Sequence, residues 1–148
     1  MLESRLEGAV LSGAQFDDAI LDELKAGGAN LIGSSLVSVS ANGADFSTSS
    51  LDATDLTASD FSYANLSDAT LTGAMLNGTS LRMANISGAD FSSARGATVS
   101  QFKLACVLEG VPPAKLPSAF RPSEFTFADC AGNDVWKRRL SRESNKSR

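Results

Sequence analysis

Large apolar residues recur at every fifth position from Leu6 to Phe91 without a break in register. The centres are Leu6, Leu11, Phe16, Leu21, Ala26, Leu31, Leu36, Ala41, Phe46, Leu51, Leu56, Phe61, Leu66, Leu71, Leu76, Leu81, Ile86 and Phe91. Only Ala26 and Ala41 are not Leu, Phe or Ile. Two residues before most centres stands a small residue, most clearly Ala9, Ala14, Ala19, Ala29, Ala44, Ala64, Ala69, Ala74, Ala84 and Ala89. Ser, Thr, Asp, Asn and Gly fill most of the other places.

A helix repeats its faces at three and four residues and a strand at two, so a strict five fits neither. A chain that turns a corner every five residues fits: four sides close one coil, and residues twenty apart lie above one another. The centre and the small residue before it both point inward. Four Leu or Phe side chains crowd the axis, which leaves room beside them only for Ala, Ser or Thr. Coils pair through their backbones at about 4.8 Å, so residues 4–93 make about four and a half coils and a rod about 20 Å long.

Ala44-Asp45-Phe46, Ala64-Asn65-Leu66, Ala84-Asn85-Ile86 and Ala89-Asp90-Phe91 follow the pattern A-(D/N)-L-x-x. In this the chain resembles the pentapeptide-repeat family. Self-similarity at a fixed period marks a solenoid. The resemblance implies an all-β fold, a right-handed quadrilateral parallel β-helix; its handedness comes from the resemblance alone. Expected boundaries are a β-helix over 1–95, a capping helix over 96–110, and a Pro-containing extension with a basic tail over 111–148.

Two places depart from the pattern. Leu24 stands where a small residue belongs and Ala26 where a large one does. Asp18, the run Ile20–Lys25 and Gly27 also read as a short capped helix. The register resumes in phase at Leu31, which favours a distorted coil. Ala41 underfills the axis, and Phe61, one coil on, is expected to lean into that space.

Past Gly96 the repeat stops. Thr98-Val99-Ser100-Gln101 reads as a helix start and Gly110-Val111-Pro112-Pro113 as a stop. Such a helix would cover the unpaired edges and apolar axis of the last coil. Ser100-Gln101, Leu104-Ala105-Cys106 and Lys115-Leu116-Pro117 loosely resemble the family's closing segment. Glu124–Ala128 alternates like a short strand. Asn133 suits the cap of a last helix, from Asp134 to about Arg142, with 143–148 expected to be disordered.

Composition adds bounds. A chain of 148 residues with 43% apolar content suits one domain with a core. No apolar run is long enough to span a membrane. The repeat begins at once, no signal peptide is visible, and a reducing cytoplasm is expected. Charge is uneven: residues 4–93 carry a net −8 and residues 94–148 a net +5.

Chemistry is sparse. There is no histidine, which removes His-based catalytic pairs and most zinc sites. Neither an enzyme nor a cofactor is expected. Cys106 and Cys130 form either a disulfide that pins the tail or two inert thiols, and a reducing cytoplasm favours the thiols. The acidic residues Asp52, Asp55 and Asp60 gather on the middle coils around different sides. They read as soluble surface and turn formers. Some members of the family imitate DNA and bind DNA gyrase, so the resemblance gives these carboxylates an alternative role in charge mimicry. The repeat region itself is not expected to bind DNA. Asn65 above Asn85 suits a side-chain amide ladder.

Tyr63 above Met83, next to Arg82, forms an outward apolar pair that could begin a partner patch, with Ile32 and Val37 a weaker candidate. Trp136–Arg142 is a basic run read as a solvated tail. The sequence therefore points to a non-enzymatic interaction module that binds an unknown protein through its side wall, and a homodimer is compatible with it. The alternative is a DNA-mimicking inhibitor or protector of DNA gyrase or another topoisomerase.

Overall fold

The computed structural model describes residues 4–111, 114–121 and 126–146. Parallel bridges join residues twenty apart in four columns. One column runs Arg5–Lys25–Asp45–Asn65–Asn85 and a second Val10–Asn30–Ser50–Thr70–Asp90. The third runs Gln15–Ser35–Asp55–Met75–Arg95 and the fourth Ile20–Ser40–Asp60–Ser80. The molecule is thus a β-helix-type repeat fold.

Each bridge is a pair of backbone bonds. Between Asn65 and Asn85, the Asn85 N–H donates to Ala64 O at 2.9 Å and the Leu66 N–H to Asn85 O at 2.8 Å. A third rung follows at the corner, where the Asp68 N–H donates to Ser87 O at 2.9 Å. The corner itself closes when the Ala69 N–H donates to Leu66 O at 3.1 Å. The third residue of this turn has positive φ at every fifth position from Gly8 to Gly88, the backbone that a type II turn requires. Glycine adopts it freely, but Thr48 (φ 56°) and Met83 (φ 52°) are held there against their preference.

The centres fill the shaft. Leu36, Leu51, Leu66, Leu71, Leu76, Phe61 and Phe91 are fully buried. The small positions line it, and where they are Ser or Thr the hydroxyl is satisfied locally. Ser49 Oγ donates to Phe46 O at 2.6 Å, and Ser59 Oγ to Leu56 O at 2.5 Å. That is why Ala, Ser and Thr interchange there: the added oxygen bonds the carbonyl three residues back. Phe61 packs on Phe46, ring centroids 5.5 Å apart.

The irregular segment keeps the coil. Leu24 and Ala26 are both buried, and the ladder passes undistorted through the Lys25 N–H to Ser4 O (3.1 Å) and the Ala26 N–H to Asp45 O (2.8 Å). A large residue at a small position beside a small one at a large position conserves volume, which explains the tolerance.

Helix α1 spans Val99–Leu104, much shorter than the expected 96–110. Thr98 and Gln101 form a capping box at its start. Phe102 is buried edge-on to Phe91 (5.1 Å) and Phe120 (5.7 Å). Gln101 Nε2 donates to Leu76 O (2.7 Å) and Thr79 O (2.9 Å). The helix stops early because Cys106 rejoins the wall. Its N–H donates to Ala84 O, its carbonyl accepts from Ile86, and it bridges Asn85. Lys115 does the same above Asp90. Two of the three closing fragments read from the sequence therefore contain rungs of the ladder.

Strand β1 (Cys106–Val107) pairs in parallel with β2 (Ala128–Asp129). The strand expected at 124–128 thus lies further on; residues 124 and 125 fall outside the described residues. A 3-10 turn, Cys130–Gly132, leads into α2, Asp134–Lys146, whose first N–H groups include that of Val135 donating to Asn133 Oδ1 at 2.9 Å. α2 runs past Arg142, so residues 143–146, expected to be disordered, are helical.

Candidate interaction surface

A coil of this kind spends its backbone unevenly. Among the described residues, the turn carbonyls at every fifth position from Gly8 to Gly88 accept no backbone ladder bond. They stand in columns along the four corners, one coil apart. A carbonyl keeps two lone pairs, so each column is a ladder of free acceptors.

One corner is occupied. Trp136 Nε1 donates to Met83 O at 2.8 Å. Arg139 Nη1 donates to Tyr63 O at 2.5 Å, and Nη2 to Gly43 O at 3.1 Å. Arg139 Nη2 also lies 3.2 Å from Glu23 Oε1. The spacing explains the fit: residues three apart on a helix rise about 4.5 Å, close to the roughly 4.8 Å between coils. α2 therefore runs along the 83–63–43–23 corner, with Trp136 at the Met83 level and the Arg139 fork serving the Tyr63, Gly43 and Glu23 levels. The Arg139 guanidinium also stacks 5.2 Å from the Trp136 ring.

Cys106 and Cys130 are bonded. The thiols favoured from the sequence are thus corrected: the return of the chain to the wall at Cys106 brings the two together. The disulfide is fully buried, with Trp136, Met83 and Leu108 packed around it. The run Trp136–Arg142, read as a solvated tail, is a docked helix. Its outer side stays wet, with Lys137, Arg138 and Arg142 exposed.

The candidate residues separate accordingly. Met83 is half-buried beneath the disulfide cluster, so the Tyr63–Met83 corner is covered by the chain's own helix rather than open. Tyr63 is half-buried, with the exposed Arg82 guanidinium 5.8 Å from its ring. Ile32, on another side, is exposed and Val37 half-buried.

The three aspartates are not gathered; each works within its own side. Asp52 reaches up one coil: its Oδ1 accepts from the Thr72 N–H (2.8 Å) and Thr72 Oγ1 (2.6 Å), and its Oδ2 from Thr70 Oγ1 (2.8 Å). Asp17 and Asp22 clamp Val37 and Asn42 in the same way. Asp55 accepts from the Thr57 N–H at 3.0 Å and Asp60 from the Ser62 N–H at 2.9 Å, both closing local turns. Asp90 does likewise with Ser92, and the Ser92 hydroxyl and amide, then the Lys115 ammonium, hold its carboxyl below the ordinary value. Asn85 Nδ2 donates to Asn65 Oδ1 at 3.4 Å, a long rung of the expected amide ladder.

Glu23 and Arg139 were not singled out from the sequence. The available signal was the three-residue spacing of Trp136 and Arg139 behind a capping Asn133. Among the described residues no cluster of His, Cys, Asp or Glu is placed to hold a metal, and no helix is long and apolar enough to cross a membrane.

A family model described as pentapeptide repeats matches residues 3–37 and 54–92, in eight copies. No curated protein matches. Among solved structures, a pentapeptide repeat protein from the Arabidopsis thaliana thylakoid lumen is 30% identical, over 72% of this chain and 77% of that one, with a TM-score of 0.37. Rfr23, a pentapeptide repeat protein from the cyanobacterium Cyanothece 51142, is 24% identical over 74% of this chain and 61% of its own, with a TM-score of 0.46. QnrB1, a plasmid-mediated fluoroquinolone resistance protein, is 19% identical over 89% and 70%, with a TM-score of 0.31.

Proposed function

This chain belongs to the pentapeptide-repeat family, and from that premise we propose that it is a non-enzymatic interaction module that binds a protein partner through its side walls. In this reading the coils form a right-handed, four-sided shaft of about four and a half turns. α1 closes one end, and the corners offer ladders of free carbonyls to donors on a partner. The observation that carries the reading is the docking of α2. One corner holds an amphipathic helix through a Trp and an Arg whose spacing matches the coil rise. A wall that recognises its own helix in this way has the chemistry to recognise another. Tyr63, Met83 and Arg82 then belong to a surface that a partner reaches beside or in place of α2.

The test is affinity capture from the native host, with Arg82→Ala and Tyr63→Ala variants as controls for the same wall. Loss of one specific protein on either substitution, with folding unchanged, supports the reading. Capture of the same proteins by both variants and the parent contradicts it.

The disulfide supports an oxidising compartment for this module in place of the reducing cytoplasm expected from the sequence.

Charge mimicry toward gyrase or another topoisomerase is the second reading, resting on the net −8 of residues 4–93. Asp52, Asp55 and Asp60 are half-buried and bonded into the wall, which makes them a less regular imitation of phosphates than an open row would be. Inhibition of supercoiling at low salt that is lost in the triple Asp→Asn variant would support it. An unchanged supercoiling assay would remove it.

A further inference from the structure

α2 is held to the wall by few contacts. Trp136 is its one buried residue, and Arg139 and Leu140 are half-buried. The rest of its described residues are exposed. Thirteen residues of such composition make a marginal helix in isolation, so docking must supply its order. Three things provide it: the Trp136 anchor, the Arg139 fork onto Tyr63, Gly43 and Glu23, and the covalent root at Cys130, four residues before the helix starts. The Glu23 side chain is 69% exposed, so the far end of the fork is open to water.

The root and the first anchor share one cluster. Trp136 packs directly on the Cys106–Cys130 bond, and Cys106 Sγ and Trp136 Nε1 both point at Met83 O. Neither sulfur is exposed while Trp136 is seated.

We propose that α2 is a releasable strap over the 23–43–63–83 corner, and that its release is coupled through Trp136 to reduction of the Cys106–Cys130 disulfide. Lifting Trp136 uncovers the sulfurs, and breaking the bond frees the root that holds Trp136 in place. Each event therefore favours the other, as linkage requires. The reductant is a dithiol. One of its thiolates attacks a cysteine sulfur, so that the Cys106–Cys130 bond breaks, the other cysteine leaves as a thiolate and a mixed disulfide forms; the second thiolate of the dithiol then attacks the dithiol sulfur of that mixed disulfide and releases the remaining cysteine. Two electrons and two protons pass to Cys106 and Cys130, which end as thiols, and the dithiol ends as a disulfide. In the oxidised state the carbonyls of Gly43, Tyr63 and Met83 are taken by α2. In the reduced state they are free, together with Glu23 and the Tyr63–Arg82 pair. This goes beyond the interaction reading and does not depend on which partner the wall takes.

The test uses the full chain with dithiothreitol as the probe, reading thiol release over time and amide exchange in α2. In Glu23→Gln and Arg139→Ala, thiol release is expected to be faster than in the parent, by on the order of tenfold for Arg139→Ala, which removes charge-assisted bonds. In the reduced parent, amides of α2 are expected to exchange at least about tenfold faster while the ladder amides of Asp45 and Asn65 stay protected. Thiol release at the parent rate in both variants would overturn the coupling, and so would unchanged α2 protection after reduction. A failed partner capture would leave these results untouched, because neither measurement involves a partner.

Discussion

Asp52 holds the turn one coil above it: its carboxylate accepts the N–H and the hydroxyl of Thr72 and the hydroxyl of Thr70. An acidic residue that looks like surface charge in the sequence is thus a clamp between coils. Asp52→Ala is expected to lower stability by about 2 kcal/mol, the usual scale for losing hydrogen bonds to a charged group. Asp52→Asn keeps an acceptor and is expected to cost less than half of that. Denaturant titration of the two variants measures the difference.

The corners store strain at the non-glycine positions. Thr48 is β-branched and sits at φ 56°. Thr48→Gly is expected to raise stability by about 1 kcal/mol, because relief of the left-handed backbone exceeds the added chain entropy. The opposite substitution at a covered corner, Gly43→Ala, places a methyl against Glu23 Oε1 and Arg139 Nη2. It is expected to loosen α2 while leaving the ladder intact, which exchange of the α2 amides would show.

The small positions of the shaft accept Ala, Ser and Thr, and a larger residue only where the neighbouring centre shrinks, as at Leu24 and Ala26. Ser49→Ala removes a hydroxyl that bonds the nearby Phe46 carbonyl, which the Ser49 N–H also approaches at 3.2 Å. Its expected effect is within about 1 kcal/mol. Ala64→Leu forces a large side chain into a full layer and is expected to cost about 1–3 kcal/mol or more. Thermal unfolding of both variants separates the cases.

Asp90 provides a pH signature. Its carboxyl is held below the ordinary value by Ser92, with Lys115 adding to the effect. A depressed carboxylate stabilises the fold fully above its unfolded value, near 4, and the contribution is lost as pH falls from there through the lower folded value. Stability measured downward from about pH 5 is therefore expected to fall more gently in Asp90→Asn than in the parent.

The repeat was legible because every fifth residue answers to one constraint, the width of the shaft. Leu56 and Leu76 are buried for the same reason, and any reader of the period reaches both. The path of the chain after Arg95 was not legible to the same degree. A Gly110 stop suggested a helix to that point, yet Cys106 had already re-entered a bridge column with Asn85. That return decides both the length of α1 and the pairing of Cys106 with Cys130, twenty-four positions on. The destination of α2 was hidden for a different reason. Trp136 and Arg139 bind backbone carbonyls, and a carbonyl column carries no side-chain pattern for a sequence to display.

The stacking of coils twenty residues apart underlies every surface described above, and scalar couplings across hydrogen bonds report it directly. An isotope-labelled sample is expected to show coupling from the Asn65 amide nitrogen to the Ala44 carbonyl and from Leu66 to Asn85. Couplings from these amides to carbonyls four residues earlier, with none to Ala44 or Asn85, would contradict the stacked coil.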